Sequence, residues 1–501
     1  MKSNIKILLL LIVTAVHIVS CSDDFLKMEP TGYLSSEAMS EIAQKDPQSV
    51  LDPLVSGLYS TTFMLNSGGS ATRNDMDYGQ KNIDLVIDLM SGDMAGTAFT
   101  YNWYRAVAQY TDQIKTGSMP YMAWRYYYRL IKSANEVIDI LGGEEAIPED
   151  AVSKAYYGQA KTMRAYAYYY LVNLYQHAYS DKKDSPGVPL YITQLEADMK
   201  AQSPVSEVYE LIIDDLEDAV VALRSFDRAG DKSKVNQEVA FGLLAYAYLT
   251  TGEYVKAAAA ADSVIAKGYP VLTRANALTN GFHTVSNNWI WGIDVTPDNY
   301  SGIACWWSHV DLFTYGYASA GDFKVIDSNL YASIPAGDVR KNWFGDYTGD
   351  GFVAGASPLL PVGKFFDPEK EVDGDKSWTN DLVYMRVEEM YLVKAEALAN
   401  NDNLAEAKNA LKVLLDERNP DINLSVMDKT DLLNTIYQNW RIEMWGEGKS
   451  YFALKRFKRT VTRSNNHALL AGESFPYNYQ YMIFEIPERE QLNNPNLLPQ
   501  N

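Results

Sequence analysis

The sequence predicts a mostly α-helical fold: a tetratricopeptide-like stack of helical hairpins carrying long aromatic-rich loops and a few short strands. Three observations carry that prediction. Apolar residues recur every three or four positions through several long segments. Two of those segments meet at short linkers of the kind that joins the helices of a tetratricopeptide repeat. One stretch of about a hundred residues then breaks the periodicity while holding six of the ten tryptophans.

Taken in order, the chain begins with an address. Lys2 and Lys6 precede the apolar run from Ile7 to Val16, which is too short to span a bilayer. Ile18-Val19-Ser20-Cys21 then has the form of a bacterial lipobox. Residues 1–20 are expected to be a lipoprotein signal peptide, with Cys21 the acylated first residue of the mature chain and its lipid the anchor. The competing reading is an ordinary secretory peptide with an incidental cysteine. Residues 21–58 read as a tether and N-terminal segment. Residues 59–118 read as a ligand-facing loop region holding Ser91-Gly92-Asp93 and the cluster Phe99-Thr100-Tyr101-Asn102-Trp103-Tyr104.

The first helical repeats are expected over 119–268. Ala160, Met163, Ala167, Leu171 and Leu174 mark one helix face, and Val208, Ile212, Leu216, Ala219 and Leu223 another after the start signal Ser203-Pro204. Leu249-Thr250-Thr251-Gly252-Glu253-Tyr254-Val255-Lys256-Ala257 has the shape of a repeat turn. Residues 269–380 are the aromatic-rich insertion, within which Asn288–Asp294 alternates as a strand does. Residues 381–501 resume the helical spacing at Met390, Val393 and Ala397, with a second repeat-like turn at Asn403-Leu404-Ala405-Glu406-Ala407. About four hairpins are expected, without a strict period.

Composition removes whole classes of function. The 501 residues carry 44 basic and 64 acidic side chains, a formal charge of −20. Such a polyanion repels phosphate backbones, so no nucleic-acid partner is expected. Two cysteines and five histidines, scattered and without an H-E-x-x-H pattern, argue against a zinc site and a disulfide framework. Gly446-Glu447-Gly448-Lys449-Ser450 imitates the end of a phosphate-binding loop, but Glu443 stands where its first glycine belongs. No cofactor is expected. Asp346–Gly351 and Asp373-Gly374-Asp375 have the oxygens for a structural calcium ion, yet neither completes an EF-hand loop, and solvated acidic turns are the preferred reading. Arg386, Glu388, Glu389, Glu396, Arg441, Glu443, Glu447 and Arg456 suggest paired-carboxylate catalysis at first sight. Their placement on repeat helices favours structural ion pairs instead, and no catalytic residue is nominated.

The aromatic surplus, 36 Tyr and 10 Trp, carries the functional reading. A sugar ring has an apolar face on which Trp or Tyr stacks, and a hydroxyl rim that polar groups bond. Trp124, Trp440 and Trp445 lie in helical repeats and are assigned to packing, and Trp289 and Trp291 to an inward-facing strand. Trp306 and Trp307 are adjacent, and in an extended segment they cannot both be buried on one face. They are expected, with Tyr101, Trp103 and Asp93, to form an exposed glycan platform.

Motifs along nearly the whole mature chain are similar to one family. Asp24-Phe25-Leu26 with Glu29-Pro30, Met163–Leu171 with Gly187-Val188-Pro189-Leu190, and Tyr384–Leu392 with Ala395-Glu396-Ala397 resemble the SusD/RagB family of Bacteroidetes outer-membrane nutrient-binding lipoproteins. So do Arg441-Ile442-Glu443, Gly446-Glu447-Gly448, Leu454-Lys455-Arg456, Ile486-Pro487 and Asn494-Pro495-Asn496-Leu497. Ser22-Asp23-Asp24 resembles the surface-export signal of such lipoproteins. The resemblance implies a lipid-anchored outer-membrane protein facing the cell exterior. Its implied role is to capture oligosaccharide or polysaccharide fragments and deliver them to a SusC-like TonB-dependent transporter. The rival expectations are a repeat scaffold binding peptides or proteins in envelope assembly, and a glycosidase, for which no motif nominates a carboxylate pair.

Overall fold

A computed structural model describes residues 36–69, 74–194, 198–347 and 359–499. Cys21, the expected signal peptide, Asp24-Phe25-Leu26, Glu29-Pro30 and the Asp350-Gly351 end of one acidic turn lie outside these residues. Among the described residues no helix is long and apolar enough to cross a membrane.

The elements used below are α1 (Ser36–Ala43), α2 (Pro47–Thr61), α3 (Gln80–Ser91), β1 (Met94–Gly96), α4 (Ser118–Ile140), α5 (Ala151–Tyr175), α6 (Val205–Ala222), α7 (Gln237–Thr251) and α8 (Tyr254–Ile265). Next come β2 (Trp289–Ile293), α9 (Trp306–Val310), β3 (Lys324–Ile326), β4 (Leu382–Arg386), α10 (Val387–Asn400), α11 (Leu404–Asp416), α12 (Lys429–Glu443) and α13 (Ser450–Arg456). The fold is mostly helical, with a few short strands.

Local chemistry sets the helix ends. The Asp150 carboxylate accepts from the N–H groups of Val152 and Ser153 at 3.0 and 2.8 Å, capping α5. Gly252, at φ +86°, ends α7 in the left-handed conformation and lets α8 fold straight back. Helices then stack in order: α4 on α5, α5 on α6, α6 on α7, α7 on α8, α8 on α10, and α10 on α11 and α12. Both predicted repeat turns are found, between α7 and α8 and between α10 and α11.

The insertion enters the stack between α8 and α10, which nonetheless pack on each other. Two strand pairs clamp it. β2 pairs antiparallel with β4, Trp289 opposite Arg386, and β1 pairs antiparallel with β3, Met94 opposite Ile326. Ala95, Leu312, Phe313, Phe323, Val325, Leu360 and Phe366 form a small satellite core beneath it.

Two segments differ from expectation. The stretch read as a tether is helical from Ser36, where α1 and α2 pack on α4. The stretch read as a ligand-facing loop contains α3, and every residue of that helix is buried.

Candidate functional site

The charged residues that suggested catalysis form a buried lattice. Arg386 Nη1 lies 2.8 Å from Glu443 Oε1, and its Nε lies 2.9 Å from Glu447 Oε2. Arg418 and Arg340 each reach Glu443 Oε2 at 3.1 Å, and Lys364 reaches Glu447 Oε1 at 2.8 Å. Burial opposes ionisation of Glu443, but the guanidiniums of Arg418, Arg386 and Arg340 outweigh it and hold the carboxyl well below its usual range. Glu447, buried but beside Arg386 and Lys364, is brought down to about 2. Glu396 accepts from Arg456 and from the Trp440 indole, at 2.7 Å each. Carboxylates so bound are poor proton acceptors and hold elements together.

Asp93 joins this lattice rather than a ligand surface. It is 1% exposed, its carboxylate takes the Arg441 Nε–H at 2.7 Å, and its carbonyl accepts from the Trp445 indole at 2.9 Å. The expectation that it contacts ligand is corrected: the residue fastens β1 to α12. The adjacent tryptophans also correct the platform. Trp306 and Trp307 are 1% and 2% exposed. Their segment is a helix, α9, in which successive side chains diverge by roughly 100° and so pack against different walls. Trp306 stands edge-on to Phe365 at 4.7 Å under the Lys81 ammonium, while Trp307 donates to the Asp381 carbonyl at 3.0 Å. Trp124, Trp289, Trp291, Trp440 and Trp445 are buried too, as assigned.

Tyr101 and Trp103 stay at the surface. Tyr101 is 48% exposed and Trp103 half-buried. Both stand edge-on to Tyr317, with centroids 5.4 and 5.9 Å away. Tyr317 is fixed from behind. Its hydroxyl donates to Asp75 Oδ1, and the His309 ring stacks on it at 4.6 Å. His309 Nε2 lies 2.8 Å from the Asp75 carbonyl, which can only accept, so that nitrogen carries the proton. Burial, with Lys324 nearby, pulls this imidazole down to about 3, and it stays neutral.

A second exposed set adjoins the first. Tyr300, 48% exposed, stacks on Trp378 at 6.4 Å with planes 8° apart, and Tyr315, 40% exposed, meets Trp378 edge-on at 6.2 Å. The Trp378 indole donates to the Tyr315 carbonyl at 2.9 Å. Only Gly316 separates Tyr315 from Tyr317, so their Cα atoms lie within about 7 Å and one turn carries both sets. A side chain at Gly316 would put its Cβ 2.4 Å from Ser308 Cβ.

The backbone around these rings is strained. Asn102 and Tyr104, which flank Trp103, have φ of +62° and +59°, and Trp378 itself has φ +51°. Left-handed conformations in such residues cost on the order of 1–3 kcal/mol each and collect where a side chain must be held in place. Tyr300, Tyr315 and Tyr317 had no signal in the sequence beyond a tyrosine count. Asp373 and Asp375 accept from the Ser319 and Ser377 hydroxyls, and among the described residues no group of acids or histidines is placed to hold a metal ion.

Known proteins match this chain over most of its length. A family model described as starch-binding and associating with the outer membrane matches residues 69–249, and one described as the SusD family matches 327–500. SusD-like protein P2 of Formosa agariphila is 25% identical, over 98% of each chain. A SusD-like carbohydrate binding protein from Bacteroides vulgatus superposes with a TM-score of 0.78 at 25% identity, covering 89% of this chain and 96% of the other. Surface glycan-binding protein A from Bacteroides thetaiotaomicron, solved with laminarihexaose, shares the fold at a TM-score of 0.68 and 16% identity, covering 90% and 98%.

Proposed function

The chain belongs to the SusD family, and from that premise we propose that it captures glycan on the turn that joins its two exposed aromatic sets. The observation that carries this reading is Tyr315-Gly316-Tyr317, which sets Tyr101 and Trp103 on one side and Trp378 and Tyr300 on the other. Rings held edge-on to one another lose little freedom when a sugar stacks on them, so the binding energy is not spent on ordering the site. Neutral His309 and Asp75 fix Tyr317, and strained turns fix Trp103 and Trp378.

The cargo in this reading is an oligosaccharide or polysaccharide fragment, which the laminarihexaose held by surface glycan-binding protein A supports. A shallow surface site gives micromolar-to-millimolar affinity, roughly −8 to −4 kcal/mol. That range suits a protein that passes its cargo to a SusC-like TonB-dependent transporter. Lipidated Cys21 holds it on the outer membrane, facing the exterior. It binds and releases, and we assign it no reaction.

The test is gel retardation against a panel of polysaccharides, followed by calorimetry with a retained oligosaccharide. Trp103→Ala and Trp378→Ala should each weaken binding about tenfold, and together should abolish it. Wild-type affinity in the double variant would overturn the site.

A further inference from the structure

Apart from the aromatic turn, a cavity of about 670 Å³ opens where the ends of α5, α7, α10 and α13 converge. Its walls carry five basic side chains, Lys183, Lys455, Arg456, Lys458 and Arg459, against one carboxylate, Glu396. The whole chain has a charge of −20, so this is a local reversal of sign. Two of the cations are satisfied inside the protein: Arg456 meets Glu396 at 2.7 Å, and Lys458 meets Asp181 at 2.5 Å.

The other three have no carboxylate partner among the described residues. Lys455 is 2% exposed and donates to the carbonyls of Asn173 and Gln176 at 2.6 and 2.7 Å, using two of its three donors. Burial with no carboxylate beside it pulls its ammonium down to about 7. Arg459 donates to Asn434 and leaves its buried Nε–H without a partner. Lys183 stands exposed at the rim. Capping the carbonyls at the end of α5 accounts for Lys455 but not for Arg459 or Lys183.

We propose that this cavity binds a small acidic saccharide unit, whose carboxylate or sulfate-ester oxygens are received by Arg459, Lys183 and Lys455. A guanidinium offers oxyanions paired donors. The volume lies within the roughly 300–1,000 Å³ typical of small-molecule sites and is more than a bare ion needs. Tyr179, Tyr254, Thr250 and Thr251 also line the cavity, residue types that suit the faces and rim of a sugar; the two threonine hydroxyls donate to the Tyr246 and Tyr248 carbonyls and keep their acceptor capacity. The site shares no residue with the aromatic turn and stands whether or not that turn binds glycan.

The experiment titrates the mature protein with glucuronate, a sulfated monosaccharide, glucose and inorganic sulfate, observed by ligand NMR. A Lys183→Gln/Arg459→Gln variant and a Tyr101→Ala/Trp103→Ala variant are run alongside. At least one of the two acidic sugars should bind at millimolar concentration, and glucose should bind about tenfold more weakly or not at all. The Lys183/Arg459 variant should lose about tenfold with its melting temperature unchanged, and the aromatic variant should bind as the wild type does. Glucose binding as tightly as the acidic sugars, or undiminished binding in the Lys183/Arg459 variant, overturns the proposal. Inorganic sulfate held as tightly as the sugars would mean an ion site only and overturns the saccharide assignment. Loss in the aromatic variant instead would move the ligand to the turn.

Discussion

Trp306→Ala and Trp103→Ala should fail in opposite ways. The Trp306 ring is enclosed by Phe365, Trp307 and Lys81, and removing it leaves a cavity that costs about 3–5 kcal/mol of stability. Thermal melts should show that loss, while glycan titration of the folded fraction stays at wild type. Trp103 is half-buried against Tyr317, so its removal should move the melt little and binding strongly. A Trp306→Ala variant that melts normally and binds nothing would reverse the two roles. The aromatic surplus was legible in the sequence, and so was the packing role of the repeat tryptophans. Which loop rings face solvent was not. Trp306-Trp307 reads as a surface pair only if its backbone is extended, and the chain there is helical. Tyr300, Tyr315 and Tyr317 are brought together with Trp378 and Tyr101 by tertiary structure, which no local pattern records.

Among elements, the Arg386 lattice is the joint between the insertion and the last helices. Arg386 at the end of β4 grips Glu443 of α12 and Glu447 beyond it, while Arg418 and Arg340 grip Glu443 from two further segments. Arg386→Ala leaves two buried carboxylates short of a partner and should cost about 3–5 kcal/mol. Glu396→Ala orphans Arg456 and the Trp440 indole and should act in the same direction. Melts against binding titrations check both, and an unchanged melt with abolished binding would place these residues in a ligand site. The helices of the repeats were legible because apolar spacing survives on one face. Helix α3 was not, because Lys81, Asp84 and Asp88 mimic a solvated face. Inside the protein Lys81 and Asp84 pair at 3.1 Å instead, and every residue of the helix is buried.

At the scale of the whole molecule two properties follow. Cys21→Ala should release the protein from membranes with its melt unchanged, because the lipid on Cys21 is the proposed anchor and among the described residues no helix is long and apolar enough to cross a membrane; fractionation with palmitate labelling reads this, and membrane retention would place the anchor elsewhere. The second property is the pH dependence of stability. Glu447 at about 2 and Glu443, also depressed, bind protons more weakly folded than unfolded. Their contribution is present above the unfolded carboxylate value near 4.5 and is lost as pH falls from there toward 2. Other buried carboxyls work the other way. Burial raises Asp381 to about 6, Asp311 to about 7 and Glu389 to about 8. These groups hold protons more tightly when folded, so stability declines as pH rises from the unfolded values near 4 through those folded values. The two limbs predict a melting temperature highest at mildly acid pH, falling below it as Glu443 and Glu447 take up protons and falling above it as the three raised carboxyls lose theirs. Glu389, whose buried carboxyl accepts from the Tyr246 hydroxyl, supplies part of the upper limb. Glu389→Gln keeps the shape and removes one of the three titrations, so it should lessen the decline between pH 5 and 8, leaving the part due to Asp381 and Asp311, and keep the acid limb in place. A melting temperature that climbs steadily from pH 5 to 8 in the wild type would show that the raised carboxyls do not govern this range.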